Sequence, residues 1–292
     1  MNLFNIRDIE NLTGIKAHTL RIWEKRYSII MPPTSPGKHR QYDNNDLRHI
    51  LRISCLYHSG IKISRIADMS IEEINSFAYR VDKKTNFEVF INQLVSYSVE
   101  MNESSFLKLY SELLETMGEE NLYTMIIFPF LTRIGNLWLT GNVVPLQEHF
   151  ASNLIRNELI ASIDRIPRSK IEDKSKVVLF CPTGEYHELP LLYLQYILKK
   201  NKIRTFFLGV NTNVEIVQQC MIKSKANNIL LYMMTNFTSF NATGYLKDLA
   251  EKFPDKNIIC GGPAFRDVNS ITKNIQLIRD LKELVNECKK II

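Results

Sequence analysis

The chain has 292 residues, 45% of them hydrophobic, with 37 Lys and Arg against 31 Asp and Glu. That is room for two or three domains with real cores. No apolar stretch approaches membrane-spanning length and no basic start with an apolar run marks a leader, so a cytoplasmic protein is expected, with no membrane partner. The five cysteines (Cys55, Cys181, Cys220, Cys260, Cys288) are far apart, with no C-x-x-C and no Cys/His cluster, which argues against disulfides and a thiolate metal site.

From Asn5 to Thr13, Ile6, Ile9 and Leu12 recur at helical spacing, Gly14 breaks the chain, and a second helix is predicted from Lys16 to Tyr27. Two short helices joined by a tight turn make a helix-turn-helix. On the second helix Leu20, Trp23 and Tyr27 form a stripe that packs inward. Thr19, Arg21, Lys25 and Arg26 are left on or beside the outer face, as in a helix that offers hydrogen bonds and cations to a groove and its phosphates. Pro32, Pro33, Pro36 and Gly37 exclude a helix or central strand, and Lys38, His39, Arg40 and Tyr42 follow as a basic wing. Residues 1–70 hold eleven Lys and Arg against six acids, which is five of the chain's net six positive charges. A polyanion would be drawn to this quarter of the chain.

These motifs, T-L-R-x-W-E-x-R-Y at Thr19–Tyr27 and R-x-Y-x-x-x-D-L at Arg40–Leu47, resemble the winged helix-turn-helix of the MerR family of transcription regulators. The resemblance implies a homodimer on a pseudo-palindromic double-stranded operator, usually inside a promoter where RNA polymerase binds. It assigns DNA contacts to Arg21, Arg26 and Arg40, with His18, Thr19 and Tyr42 as supporting candidates. Leu20 and Trp23 read as core.

Downstream, Leu47 to Leu56 and Ile61 to Met69 are predicted helices, so residues 1–75 form the DNA-binding domain and polar residues 76–86 a linker. Residues 87–168 read as a helical bundle, with helices at Phe87–Met101, Glu103–Met117, Glu119–Leu139 and Pro145–Ile163. In residues 174–292 the period changes. Strands are predicted at Val177–Cys181, Arg204–Gly209, Asn228–Met233 and Asn257–Cys260, alternating with helices at Leu189–Lys200, Val214–Ser224 and Phe240–Phe253 and a closing helix at Ile275–Lys290. That alternation makes a doubly wound parallel sheet. The expected fold class is thus multidomain α and α/β: winged helix-turn-helix, helical bundle, Rossmann-like sheet.

Ligands on such sheets bind at the carboxyl ends of strands. The loop after Cys181, Pro182-Thr183-Gly184-Glu185-Tyr186-His187-Glu188-Leu189-Pro190, carries a histidine among carboxylates. One ring nitrogen of His187 could be held by Glu185 while the other faces a metal; a solvated loop histidine is the alternative. Residues 174–292 resemble a cobalamin-binding domain, with Glu185-x-His187-x-x-Pro190 standing for D/E-x-H-x-x-G and Gly261-Gly262 for its later glycine pair. The resemblance implies adenosylcobalamin or methylcobalamin as cofactor, His187 as lower cobalt ligand and Glu185 as its partner.

Trp138, nine residues, then Glu148-His149 resembles the W-x9-E-H signature of the helical cap in light-sensing regulators of the CarH and LitR type. There Trp138 would cover the upper face of the cofactor and Glu148 and His149 would bind its polar edges; a core tryptophan and a polar helix start remain the alternative. Three positions depart from the pattern. Pro190 replaces a glycine, no serine follows the third strand at Leu231-Tyr232-Met233-Met234, and Leu139 stands where light-sensing members commonly carry an upper-ligand histidine. No catalytic triad, P-loop or G-x-G-x-x-G is present, so no enzymatic activity is expected. Two functions stay open. One is a repressor, dimeric or tetrameric, whose operator affinity is set by cobalamin held between cap and sheet domain, with or without light. The other is a cobalamin-independent regulator using its C-terminal domains for protein–protein interaction or another ligand.

Overall fold

The computed structural model describes residues 4–29, 40–74, 87–139, 145–167, 172–234, 241–265, 268 and 272–291. The expected linker at 76–86 and most of the expected wing, 31–39, lie outside the described residues. The chain divides into two compact units, Met1–Leu154 and Ile155–Ile292.

In the first unit, α1 (Ile6–Thr13) starts at a capping box in which Asn5 and Asp8 each accept the other's backbone N–H, and it ends at Gly14 in the left-handed region. Helix α2 (Ala17–Tyr27) follows after three residues. A second capping box, Asp43 with Asp46, starts α3 (Asn44–His58), and α4 (Ile63–Ala67) follows Gly60. Phe4 and Tyr42 exchange backbone hydrogen bonds of 2.8 and 2.9 Å, which fastens the N-terminus to the chain entering α3.

The bundle helices are α5 (Phe87–Val99), α6 (Glu103–Leu122), α7 (Phe128–Leu139) and α8 (Pro145–Asp164). The break expected at Gly118 is a kink inside α6, where that residue alone leaves helical geometry. A π-helical turn at Tyr123–Ile127 joins α6 to α7. Helix α5 is buried almost all round, because α3 packs on one side of it and α6 and α7 pack on the others. Helix α1 also packs on α7. The DNA-binding helices and most of the bundle therefore share one compact unit.

The second unit is a five-stranded parallel sheet of order β2-β1-β3-β4-β5. Its elements are β1 (Glu172–Phe180), α9 (Leu189–Lys200), β2 (Ile203–Phe207), α10 (Val214–Ser224), β3 (Asn228–Tyr232), α11 (Ala242–Lys252), β4 (Asn257–Gly261), β5 (Ile275–Ile278) and α12 (Leu281–Cys288). The doubly wound fold is as expected, with one correction. Ile275–Ile278, read as the start of the closing helix, is a fifth strand in register with Ile258–Gly261, and the helix begins only after Asp280, whose side chain caps it. An apolar core on one face joins Phe180, Ile229 and Leu231 of the sheet to Val217 and Met221 of α10 and Leu246 of α11. With β1 next to both β2 and β3, chain order reverses at β1/β3, the crevice where such sheets bind ligands. All five cysteines are unbridged thiols.

Candidate functional site

At the DNA end, α2 sorts most of its side chains as expected, although Tyr27, expected inward, is only half-buried. Leu20 and Trp23 are buried, with the Trp23 ring edge-on to Tyr57 of α3 at 4.8 Å. His18, Arg21, Lys25 and Arg26 are exposed and Thr19 is half-buried, its hydroxyl 3.3 Å from His18 Nε2. Arg40 is exposed too, but its Nε lies 2.9 Å from Oε2 of Glu24, whose side chain is only 8% exposed.

Tyr42 departs from its expected place beside the DNA. Its ring is buried and its hydroxyl donates to Glu24 Oε1, so it is a core residue that orients Glu24. Burial first, and then that bond to a carboxylate, pushes the Tyr42 hydroxyl pKa well above the usual phenol value. Glu24, not among the residues expected at the DNA end, is the one that ties α2 to Arg40 and Tyr42. Its place within W-E-x-R-Y, one turn from Arg21, is the available signal, but its partners Arg40 and Tyr42 come from the far end of the wing.

At the sheet end, the loop after β1 brings its carboxylate to the switch point. Gly184 takes the positive φ of 85° that the turn requires, and its N–H donates to Asn211 Oδ1 in the loop after β2. Glu185 is 1% exposed in its side chain and is satisfied from several directions. Its Oε1 accepts the backbone N–H groups of Tyr186 and His187 at 2.9 Å each and lies 2.6 Å from His187 Nδ1. Its Oε2 accepts the N–H of Met234, just past β3, at 2.8 Å. Buried carboxylates are stable when so many donors point at them. The imidazole of His187 is held by its Nδ1 side while the side chain as a whole stays 49% exposed. Next along the chain, Glu188 is tied to Arg156 of α8 through its Nε.

A carboxylate on Nδ1 fixes the tautomer and plane of an imidazole, the setting in which a histidine commonly takes a metal. The carboxylate also sets the local field. Burial first, then Glu185 and Asp280, push the Tyr232 hydroxyl up to about 12.

The glycine pair is explained differently. A Cβ on Gly262 would lie 2.1 Å from the Met233 carbonyl oxygen, and one on Gly261 would lie 2.3 Å from Leu284 Cδ2 and 3.1 Å from Tyr232 Cδ2. The room these glycines leave is taken by the protein's own atoms. Pro190 is buried in the first turn of α9, where its fixed φ and missing N–H cost nothing.

Of the upper candidates, Trp138 falls in the last turn of α7 and its side chain lies outside the described set. Glu148 and His149 stand in the first turn of α8, 3.3 Å apart, with the imidazole exposed. A carboxylate there is favoured by the helix dipole. Asn211, Met234 and Arg156 meet the Glu185–Glu188 loop only through tertiary folding, so no local spacing points to them.

Residues 4–71 match the family model described as MerR HTH family regulatory protein, and residues 90–160 the one described as B12 binding domain. The HTH-type transcriptional repressor CarH of Myxococcus xanthus is 20% identical over 280 residues, which is 93% of each chain. CarA of the same organism is 24% identical over 265 residues, 90% of this chain and 87% of that one. Among solved structures, the Methanosarcina barkeri monomethylamine corrinoid protein shares the fold, with a TM-score of 0.56 at 16% identity over 70% of this chain and 98% of that one. The chain therefore joins a MerR helix-turn-helix domain to a B12-binding domain and is homologous to the CarH and CarA repressors.

Proposed function

We propose that the chain is a DNA-binding transcription repressor whose hold on its operator is controlled by cobalamin. The observation that carries the cofactor control is the Glu185–His187 pair at the β1/β3 crevice, where a buried carboxylate aligns a half-exposed imidazole. A bound corrinoid would supply a cobalt centre able to take a nitrogen ligand. His187 would hold it through its imidazole, Glu185 would keep Nδ1–H bonded and so raise the basicity of the ring, and Met234 N–H would keep Glu185 in place. Trp138, Glu148 and His149 are proposed as further cofactor contacts, on the strength of their spacing and the family match over residues 90–160.

At the other end, Arg21, Arg26 and Arg40 meet duplex DNA, with His18 and Thr19 beside them. A homodimer, or a tetramer built from two, would span half-sites one helical turn apart, and bound inside a promoter it would meet RNA polymerase. CarH and CarA are named as repressors, which supports that sign of regulation.

The test is the absorption spectrum of the purified chain after incubation with adenosylcobalamin or methylcobalamin and removal of unbound corrinoid, in the dark and after illumination. Corrinoid bands that co-elute with the chain, and an affinity about 10–100-fold lower in His187→Ala, are the expected result. A chain that elutes without corrinoid would leave a DNA-binding regulator whose C-terminal unit serves a protein partner or another ligand.

A further inference from the structure

The turn of the helix-turn-helix is held by more than its own helices. Gly14 closes α1 at φ 71°, and a Cβ built there would lie 3.3 Å from Glu88 Oε2, 3.6 Å from His58 Nε2 and 3.8 Å from Arg133 Nη2. Glu88 and Arg133 belong to α5 and α7, so side chains of the bundle reach the turn itself. One residue earlier, the Thr13 carbonyl accepts from His58 Nε2 at 3.0 Å and from Ser54 Oγ at 3.4 Å. Ser54 Oγ accepts in turn from Asn92 Nδ2 at 2.6 Å, and Asn92 Oδ1 accepts from Arg133 Nη1 at 2.9 Å. The other arm of the guanidinium donates to Glu88 Oε2 at 2.7 Å.

Thr13, Ser54 and Asn92 are fully buried, and the Arg133 side chain is only 12% exposed. A continuous polar chain thus runs from α7 through α5 and α3 to the end of α1. Apolar packing between α3 and α5 holds these helices together but tolerates sliding. Directional bonds in a low-dielectric interior do not, since any shift leaves a buried donor or acceptor unpaired. Arg133 anchors the chain because its planar fork fixes Asn92 and Glu88 at once, which an ammonium could not do in the same geometry.

Helix α2, the one that carries Arg21 and Arg26, begins three residues after Gly14, so the turn sets its angle. We propose that Arg133 is a positioning residue for DNA reading: from the helical bundle it fixes the α1–α2 turn, so that bundle and helix-turn-helix engage duplex DNA as one body. This rests on the DNA-binding reading and stands apart from the cofactor control. It also gives α7, the helix whose last turn holds Trp138, a route to the recognition helix.

The experiment uses the full-length chain without corrinoid and a duplex selected by the wild-type chain from a random-sequence pool. Arg133→Gln is expected to weaken binding of that duplex about tenfold and Arg133→Lys about threefold. In Arg133→Gln, amide exchange over residues 13–17 should quicken while exchange over Val214–Ser224 stays unchanged. A bundle variant, Leu113→Ala, brought by temperature to the same distance below its Tm, should bind the duplex as wild type does. Unchanged affinity and unchanged exchange at the turn in Arg133→Gln, or an equal loss of affinity in Leu113→Ala, overturns the proposal. A wild-type chain that selects no duplex overturns the DNA-binding reading and this proposal together, an outcome visible before any variant is made.

Discussion

Two buried glutamates organise the two ends of this molecule, and they do so differently. Glu24 in the helix-turn-helix is held by side chains, Arg40 and Tyr42. Glu185 in the sheet unit is held by three backbone N–H groups as well as by the His187 ring. Side-chain partners can exchange. Arg40 is 44% exposed, so its guanidinium can turn to a phosphate while Tyr42 keeps its bond to the Glu24 carboxylate. Backbone donors cannot leave without unfolding the loop. The DNA end thus keeps a cation in reserve, whereas the cofactor end presents an imidazole in one orientation.

The largest expected effect tests the second half of that contrast. Glu185→Ala strips the acceptor from three backbone donors and the His187 ring at once, so denaturant unfolding of the sheet unit should show a loss of roughly 3 kcal/mol. If stability is retained, the carboxylate is an ornament of the loop rather than its anchor. Tyr42→Phe comes next. It keeps the buried ring but removes one bond to a charged acceptor, and about 2 kcal/mol should be lost from the thermal stability of the first unit.

A smaller effect depends on pH. The Tyr232 hydroxyl, ordinarily near 10, is pushed up to about 12, so the folded state favours its neutral form. That stability is fully present below pH 10 and is lost as pH rises toward 12. At pH 11 it amounts to about 1.4 kcal/mol, and alkaline unfolding in this window should be shallower in Tyr232→Phe. Arg40→Ala removes the half-exposed partner of Glu24 and leaves the Tyr42 bond in place, so it should cost less stability than Tyr42→Phe. Its operator binding should nevertheless weaken and its salt dependence should fall by about one phosphate contact. A slope equal to wild type would mean that Arg40 serves Glu24 only.

Much of the architecture was legible along the chain. The helices at Leu189–Lys200 and Val214–Ser224 lie where periodicity put them, and Gly14 ends α1 as its position implied. Ile275–Ile278 was misread because four residues with apolar ends fit a helical turn as well as a strand, and only the neighbouring Ile258–Gly261 decides between them. The polar start of β1 at Glu172–Lys176 hid the true length of that strand in the same way. At the sites, Glu185 and His187 were found because they are two residues apart. Met234, 49 residues from Glu185, and Arg133, 41 residues from Asn92, were not.

What the sequence determined by itself was local: caps, turns, the inward stripe of α2 and the strand–helix alternation, each set by contacts a few residues apart. The tertiary structure decided which carboxylate would be buried and against what. It turned Tyr42 from a DNA candidate into a core residue, filled the space beside Gly261 and Gly262 with the protein's own atoms, and laid the bundle against the recognition turn. Those outcomes depend on desolvation and on donors brought from distant segments, and neither has a signature along the chain.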